Sequence, residues 1–338
     1  VSYYSVGLIL AGLAAWSVSG RSGELLGADA YFRRLRWDWV LVAGAAEVAS
    51  FVAFAGLQRR LLRAGRVRAP LLSITALTVA GTAIQNTVPG GVVLTTAFVF
   101  RRYRRYGADE TLAGWVIVSV AVVSFASLAL LGAVGVILAL GSASDLGLVG
   151  IVAGVLVAAA LLFTAWVKHA VWLARCTGLL RLCQRAVKRP RGDPDVILRT
   201  LLEQLGAIHP RRRDWALAGV LALSNWLLDM ACLAAAFRAV GADVPWRALL
   251  IAYTAGQLAG LVPITPGGLG LVEGSLAVAL VAFGGVEATS VAAVLIYRLL
   301  SFWVVLPIGW GAWAGIGLLG RRQARREAVP PPGVLRTL

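Results

Sequence analysis

Apolar residues run through this chain in long blocks, separated by short clusters of arginine, glycine and acid, and the block lengths predict its elements. Apolar stretches at about 1–19, 38–58, 111–140, 147–168, 214–238 and 288–318 match the roughly 20 residues that a helix needs to cross a bilayer core. Two further apolar segments, 70–100 and 246–284, are broken near their middles by Pro-Gly-Gly, in "QNTVPGGVV" at 85–93 and "ITPGGLGLV" at 264–272. Proline removes a backbone donor, and glycine releases the backbone from helical dihedrals. Non-helical backbone at membrane depth is tolerated only where protein or a water-filled cavity surrounds it. The pattern predicts two helical hairpins that enter the membrane, turn at Pro89, Gly90 and Gly91 or at Pro266, Gly267 and Gly268, and return. The fold class expected is an all-α polytopic membrane protein with two broken re-entrant hairpins and about six to eight spans.

Composition agrees with that class. The 338 residues are 59% hydrophobic and 14% charged, with a mean hydropathy of +0.81, whereas a soluble domain carries about 25% charged residues. The net charge of +16 changes the picture only through its placement. If the hairpins do not cross, the loops at 59–69, 101–110 and 168–213 and the tail from 320 to 338 share one side and hold 5, 4, 11 and 5 Lys or Arg. The opposite loops, near 20–37 and 238–247, hold 4 and 2. A split of 25 to 6 makes the first side cytoplasmic, with both termini on it. Counting each hairpin as two crossings leaves the parity unchanged. Basic charge clustered in short loops, with no recognition module, argues against nucleic acid as a partner. The runs "RRYRR" (101–105) and "KRPRG" (188–192) read as topology signals that also touch anionic lipid. Cys176, Cys183, Cys232, His169 and His209 lack metal-ligand spacing, so no metal or cofactor is expected. The opening "VSYYSVGLILAGLAAWSV" reads as an uncleaved first span. Within the basic loop, "DPDVILRTLLEQLGAIH" reads as an interfacial amphipathic helix that starts at Asp193 and Pro194.

The two broken segments align with each other. An offset of 177 pairs Pro89 with Pro266, Gly90 and Gly91 with Gly267 and Gly268, Gly107 with Gly284, Glu110 with Glu287, and Ser124-Phe125 with Ser301-Phe302. Upstream, "RWDWVL" (36–41) resembles "RRDWAL" (212–217) at an offset of 176. The chain therefore reads as one integral membrane domain over 1–338, with repeat one at about 36–140 and repeat two at about 212–318. By parity the span at 38 starts outside and its counterpart at 214 starts inside, so the repeats are inverted. Inverted repeats with broken helices near the midplane are an architecture of alternating-access transporters.

Charges inside the apolar blocks are the candidate chemistry. Glu273 lies seven residues past Pro266. Arg298 lies about ten residues into its span, roughly 15 Å deep at the helical rise. An unpaired charge there costs at least about 2.5–3.5 kcal/mol, so the two are expected to face one another. Either they form a static ion pair, or Arg298 attracts an anionic headgroup while Glu273 serves as its counter-charge or proton carrier. A guanidinium suits phosphate by its bidentate geometry. Glu47 and Asp229 either line the same cavity or hydrogen-bond a neighbouring helix. Gln85, Asn86, Thr87 and Thr265 read as caps for backbone groups freed at the breaks. Tyr297 reads as packing or an interface anchor. Half-helices beginning at Gly90 and Gly267 are expected to aim their N-terminal dipoles at an anion.

With Pro266, Gly267, Gly268, Gly270, Glu273 and Arg298 in view, the sequence resembles the lysylphosphatidylglycerol synthase/flippase transmembrane-region family. The second repeat of that family carries a Pro-Gly-Gly-x-Gly hairpin, a Glu shortly after it and an Arg in the next helix. Two departures stand out: Val272 occupies a position often held by Arg, and "PGGVVLTTAF" keeps the first-repeat glycines without the usual charges. The resemblance implies lipid translocation, not enzymatic activity. The implied substrates are an anionic phospholipid, an aminoacylated lipid or a polyprenyl-phosphate-linked precursor. Synthases of this kind add a large soluble domain, for which the tail at 320–338 leaves no room. The alternative is a non-catalytic membrane scaffold for a separately encoded glycosyl- or aminoacyl-transferase. No sequence feature sets an oligomeric state.

Overall fold

In the computed structural model, residues 35–88, 91–140, 210–260, 266–282 and 285–327 are described, and every regular element among them is helical. The spans expected at 1–19 and 147–168, the helix expected after Asp193, most of the basic loop, and Pro89 and Gly90 lie outside the described residues. The first half comprises α1 (Trp37–Ala64), α2 (Leu71–Thr87), α3 (Gly91–Arg105) and α4 (Glu110–Leu140). The second comprises α5 (Arg212–Ala239), α6 (Trp246–Gly260), a 3-10 turn at Pro266–Gly268, and α7 (Leu271–Ala282). It continues through α8 (Glu287–Arg298), a π-helical turn at Leu299–Trp303, and α9 (Val305–Glu327).

Among the described residues, α1, α4, α5 and the α8–α9 unit are long and apolar enough to cross a membrane. The four limbs beside the breaks are shorter. Helices α2, α3, α6 and α7 have 17, 15, 15 and 12 residues, which at 1.5 Å per residue gives roughly 18–26 Å against a core of about 30 Å. Large apolar side chains such as Leu41, Val48, Leu72, Val93, Ile137, Val220 and Val278 point outward. In a membrane protein such a surface faces acyl chains.

Helices α1 and α5 lie side by side and antiparallel. The Arg36 amide donates to the Ala239 carbonyl at 2.9 Å, Ser50 Oγ donates to Asn225 Oδ1 at 3.1 Å, and Arg60 pairs with Asp214 at 2.6 Å. These are counterpart helices in the sequence alignment, so equivalent helices run in opposite directions. At the offset of 176 the counterpart of Ser50 is Trp226, next to its partner Asn225. A two-fold relation between the halves would therefore pass close to this contact.

The remaining packing exchanges elements between halves. Helix α4 of the first half packs on α6 of the second, and α9 of the second packs on α2 of the first. Gly132 and Gly309, 177 residues apart, serve these two contacts. A β-carbon at Gly132 would sit 2.8 Å from Thr254 Cγ2, and one at Gly309 would sit 2.5 Å from the Val79 carbonyl oxygen. At Gly309 the obstacle is backbone, so only glycine allows so close an approach; at Gly132 a larger residue would have to displace the Thr254 side chain.

Two apolar cores result. One gathers Leu233, Phe237, Leu249 and Leu276 between α5, α6 and α7; the other gathers Leu57, Leu61, Leu77 and Leu112 between α1, α2 and α4. The second encloses a polar lock: Tyr103 Oη donates to Gln58 Oε1 at 2.6 Å, and Gln58 Nε2 donates to Thr78 Oγ1 at 2.9 Å. Tyr103→Phe removes one donor and leaves a buried amide oxygen unpaired. We expect a loss of about 1 kcal/mol in detergent-induced unfolding, because hydrogen bonds between membrane helices are worth about that much or less. An unchanged unfolding midpoint would mean that the lock carries no weight.

Candidate functional site

The second Pro-Gly-Gly break is built on left-handed backbone. Gly267, Gly268 and Gly270 have φ of 61°, 69° and 81°, a region that costs other residues roughly 1–2 kcal/mol each. Gly270 stands just before α7, and Glu273 occupies the third helical position. The Gly270 amide donates to Glu273 Oε2 at 2.7 Å, the reach-back half of a capping box. The returning half-helix therefore starts at Leu271, not at Gly267 as expected. Its N-terminus is engaged by its own carboxylate, because a Gly-x-x-Glu sequence lets Glu273 satisfy a freed amide.

Arg298 completes the arrangement, as the insertion cost of an isolated charge predicts. Its Nε donates to Glu273 Oε1 at 2.6 Å, and its Nη2 donates to the Gly267 carbonyl at 3.2 Å. Its guanidinium carbon lies 4.6 Å from the centre of the Phe302 ring, within cation–π range. The arginine and glutamate side chains are 10% and 15% exposed. Arg298 is eleven residues into α8 from Glu287, about 16 Å along the helix. The π-helical turn follows at once; such wide turns are frequent at functional sites. The glycine-rich turn also meets the first half, since a β-carbon at Gly267 would lie 3.2 Å from Asn86 Cβ. Asn86 lies in the last turn of α2, close to the first break, so the second break and the approach to the first are brought together. Nearby, Thr87 Oγ1 donates to the Ala83 carbonyl at 2.7 Å. Gly91 opens α3, with its amide on the Val88 carbonyl.

A second polar cluster lies one helix face away. Tyr253 Oη, Gln257 Nε2 and Tyr297 Oη all donate to Asp229 Oδ2, at 2.7, 3.0 and 3.2 Å. Glu47 of α1 faces Asp229 and Cys232 of α5 across the antiparallel contact, one turn from the Ser50–Asn225 bond. Two oxygens of this cluster, Glu47 Oε2 and Asp229 Oδ1, are buried without a donor. Glu47 and Asp229 thus meet across the α1–α5 contact, close to the Ser50–Asn225 bond.

Tyr297 is a packing residue and not an interface anchor: it is 3% exposed, and its hydroxyl also serves Asp229, because the helical turn that carries Arg298 also faces α5. Tyr253 and Gln257 had escaped sequence reasoning. Their i, i+4 spacing on α6 was the available signal, since it places both on one face. Among the described residues no group of three or more His, Cys, Asp and Glu could hold a metal ion.

Comparison with known proteins places these features in a family. The family described as "Lysylphosphatidylglycerol synthase TM region" matches residues 4–309. Three curated relatives from Methanothermobacter thermautotrophicus, each described as "UPF0104 membrane protein", match over shorter stretches. One is 41% identical over 99 residues, covering 29% of this chain and 28% of the relative. Another is 36% identical over 92 residues, covering 27% of each, and the third is 32% identical over 87 residues, covering 26% of each. The chain thus spans only about a quarter of the length of the curated relatives it matches. Given the match over nearly its whole length, the chain belongs to the lysylphosphatidylglycerol synthase transmembrane-region family.

Proposed function

We propose that this chain, as a member of that family of multi-pass membrane proteins, is a lipid translocase and not an enzyme. It passes an anionic phospholipid, an aminoacylated lipid or a polyprenyl-phosphate-linked precursor between the leaflets of the cell membrane. The observation that carries this reading is a nearly buried Arg298–Glu273 pair, held at a non-helical turn where the two halves meet. The guanidinium matches a phosphate headgroup in charge and geometry, and Glu273 keeps it neutralised when no headgroup is present. Broken helix pairs too short to span support re-entrant hairpins from the two leaflets. The antiparallel α1–α5 pairing supports inverted repeats around the site.

Orientation follows from charge. The Arg60–Asp214 pair brings the arginine-rich end of α1 to the Arg211–Arg213 start of α5. That end faces the cytoplasm by the positive-inside rule, together with both ends of the chain.

The test is translocation in proteoliposomes, using fluorescent phosphatidylglycerol and polyprenyl-phosphate probes with dithionite bleaching of the outer leaflet. Protein-dependent access of dithionite to inner-leaflet probe is the expected result. Failure with both probes, from protein that is folded, would reject phosphatidylglycerol and polyprenyl phosphate as substrates and favour a scaffold for a separately encoded transferase.

A further inference from the structure

The Arg298–Glu273 pair accounts for one carboxylate at the centre of the protein and leaves two others, Glu47 and Asp229, without a cation of their own. They come from different halves, on α1 and α5, and the antiparallel register set by Ser50–Asn225, Arg36–Ala239 and Arg60–Asp214 places them opposite one another. Glu47 is 7% exposed, and its Oε2, like Asp229 Oδ1, has no donor in reach. Two ionised carboxylates in contact repel, and each is an acceptor only. A single proton between them removes the repulsion and supplies the missing donor.

The groups that face this pair fit the same assignment. Asp229 Oδ2 already receives Tyr253, Gln257 and Tyr297, so Oδ1 is the oxygen left for a proton. From α5, Cys232 lies against Glu47. From α8, Arg298 is the charged neighbour of Asp229, but its Nε and Nη2 are taken by Glu273 and Gly267.

We propose that Glu47 and Asp229 form a proton-binding site, and that proton binding there and anion binding at Arg298 favour each other. The coupling rests on the proposed function and follows from charge. An anionic headgroup that takes Arg298 frees Glu273 as an uncompensated carboxylate and withdraws positive charge from Asp229. The centre then carries one more negative charge, which a proton taken up from water by the carboxyl pair cancels. Linkage makes the effect reciprocal: a proton on the pair strengthens anion binding. Anionic headgroup and proton would move together in the same direction.

Two measurements separate the proton site from the coupling. Infrared spectra of the full chain in lipid, at neutral pH, should contain a protonated-carboxyl C=O band that shifts in D2O. The band should disappear in Glu47→Gln and in Asp229→Asn; Glu47→Gln keeps the shape and can still donate to Asp229. No such band in wild type, or one unchanged in both variants, overturns the proton site. A band displaced by sodium instead of by pH also overturns it. Proton uptake is then followed with a pH indicator, at an alkaline pH where the infrared band has been titrated away, as short-chain phosphatidylglycerol is added in micelles, with lipid binding followed by calorimetry. Close to one proton per lipid bound is expected in wild type, falling at least fivefold in either variant. Binding without uptake overturns the coupling. If the infrared band is present but the lipid neither binds nor is translocated, the lipid reading fails and the proton site stands.

Discussion

Arg298→Ala is expected to abolish lipid translocation, lowering the dithionite-accessible rate at least tenfold, and also to destabilise the fold. The second effect complicates the first. Removing one member of a buried pair leaves the other as an uncompensated charge, at a cost of about 3–5 kcal/mol. Loss of activity in Arg298→Ala alone would therefore not distinguish a transport site from a structural clasp. Charge-neutral replacement of both members makes the distinction. In Glu273→Gln with Arg298→Met no buried charge remains at the break, and the introduced amide oxygen can still accept the Gly270 N–H bond that starts α7. Replacing a buried ion pair by neutral groups of similar size is often neutral or stabilising.

The double variant should therefore unfold at a midpoint near that of wild type, while the single variants unfold well below it. A structural clasp predicts that activity returns with stability. A headgroup site predicts that it does not, since the cation has gone. Recovered stability together with recovered translocation would reject Arg298 as the headgroup ligand. Arg298→Lys adds a graded point. It keeps the charge but lacks the planar fork that reaches both Glu273 and Gly267, so an intermediate rate is expected.

The meeting of Glu273 and Arg298 was legible in the sequence because the membrane leaves few alternatives. A charge placed 25 residues from its opposite, both in apolar blocks, has a strong reason to find it. The breaks were legible because Pro-Gly-Gly cannot continue a helix. The Asp229 cluster was not, since a tyrosine or glutamine inside an apolar helix has the same local pattern whether it faces lipid or a carboxylate. Which face of α6 and α8 turns toward α5 is decided by packing of the whole bundle, so the choice between packing and interface anchor for Tyr297 stayed open in the sequence. The capping role of Glu273 has a local signature, Gly-x-x-Glu. The π-helical turn after Arg298 has none.

Gly267→Ala is the substitution expected to do most damage without touching a charge. Two separate costs fall on it. The backbone at φ 61° is left-handed, which an alanine adopts at roughly 1–2 kcal/mol. The added methyl would also collide with the Phe302 ring and crowd Asn86, where overpacking costs about 1–3 kcal/mol more. Together these reach about 2–5 kcal/mol. The relief available is for the turn to move, which carries the Gly267 carbonyl away from Arg298. Gly270→Ala separates the two terms. Its φ is 81°, but a β-carbon there meets nothing within 4 Å, so only the backbone cost applies. Gly267→Ala should therefore lower the unfolding midpoint at least twice as far as Gly270→Ala, and reduce translocation at least tenfold. Adding Phe302→Leu to Gly267→Ala should restore part of the stability, since it removes the obstructing ring. It should restore less of the activity, because the ring also stacks on the Arg298 guanidinium. Equal losses in the two glycine variants, with no rescue by Phe302→Leu, would show that backbone strain alone governs the turn. In that case the contact between the break and the α8–α9 unit would not be what positions Arg298.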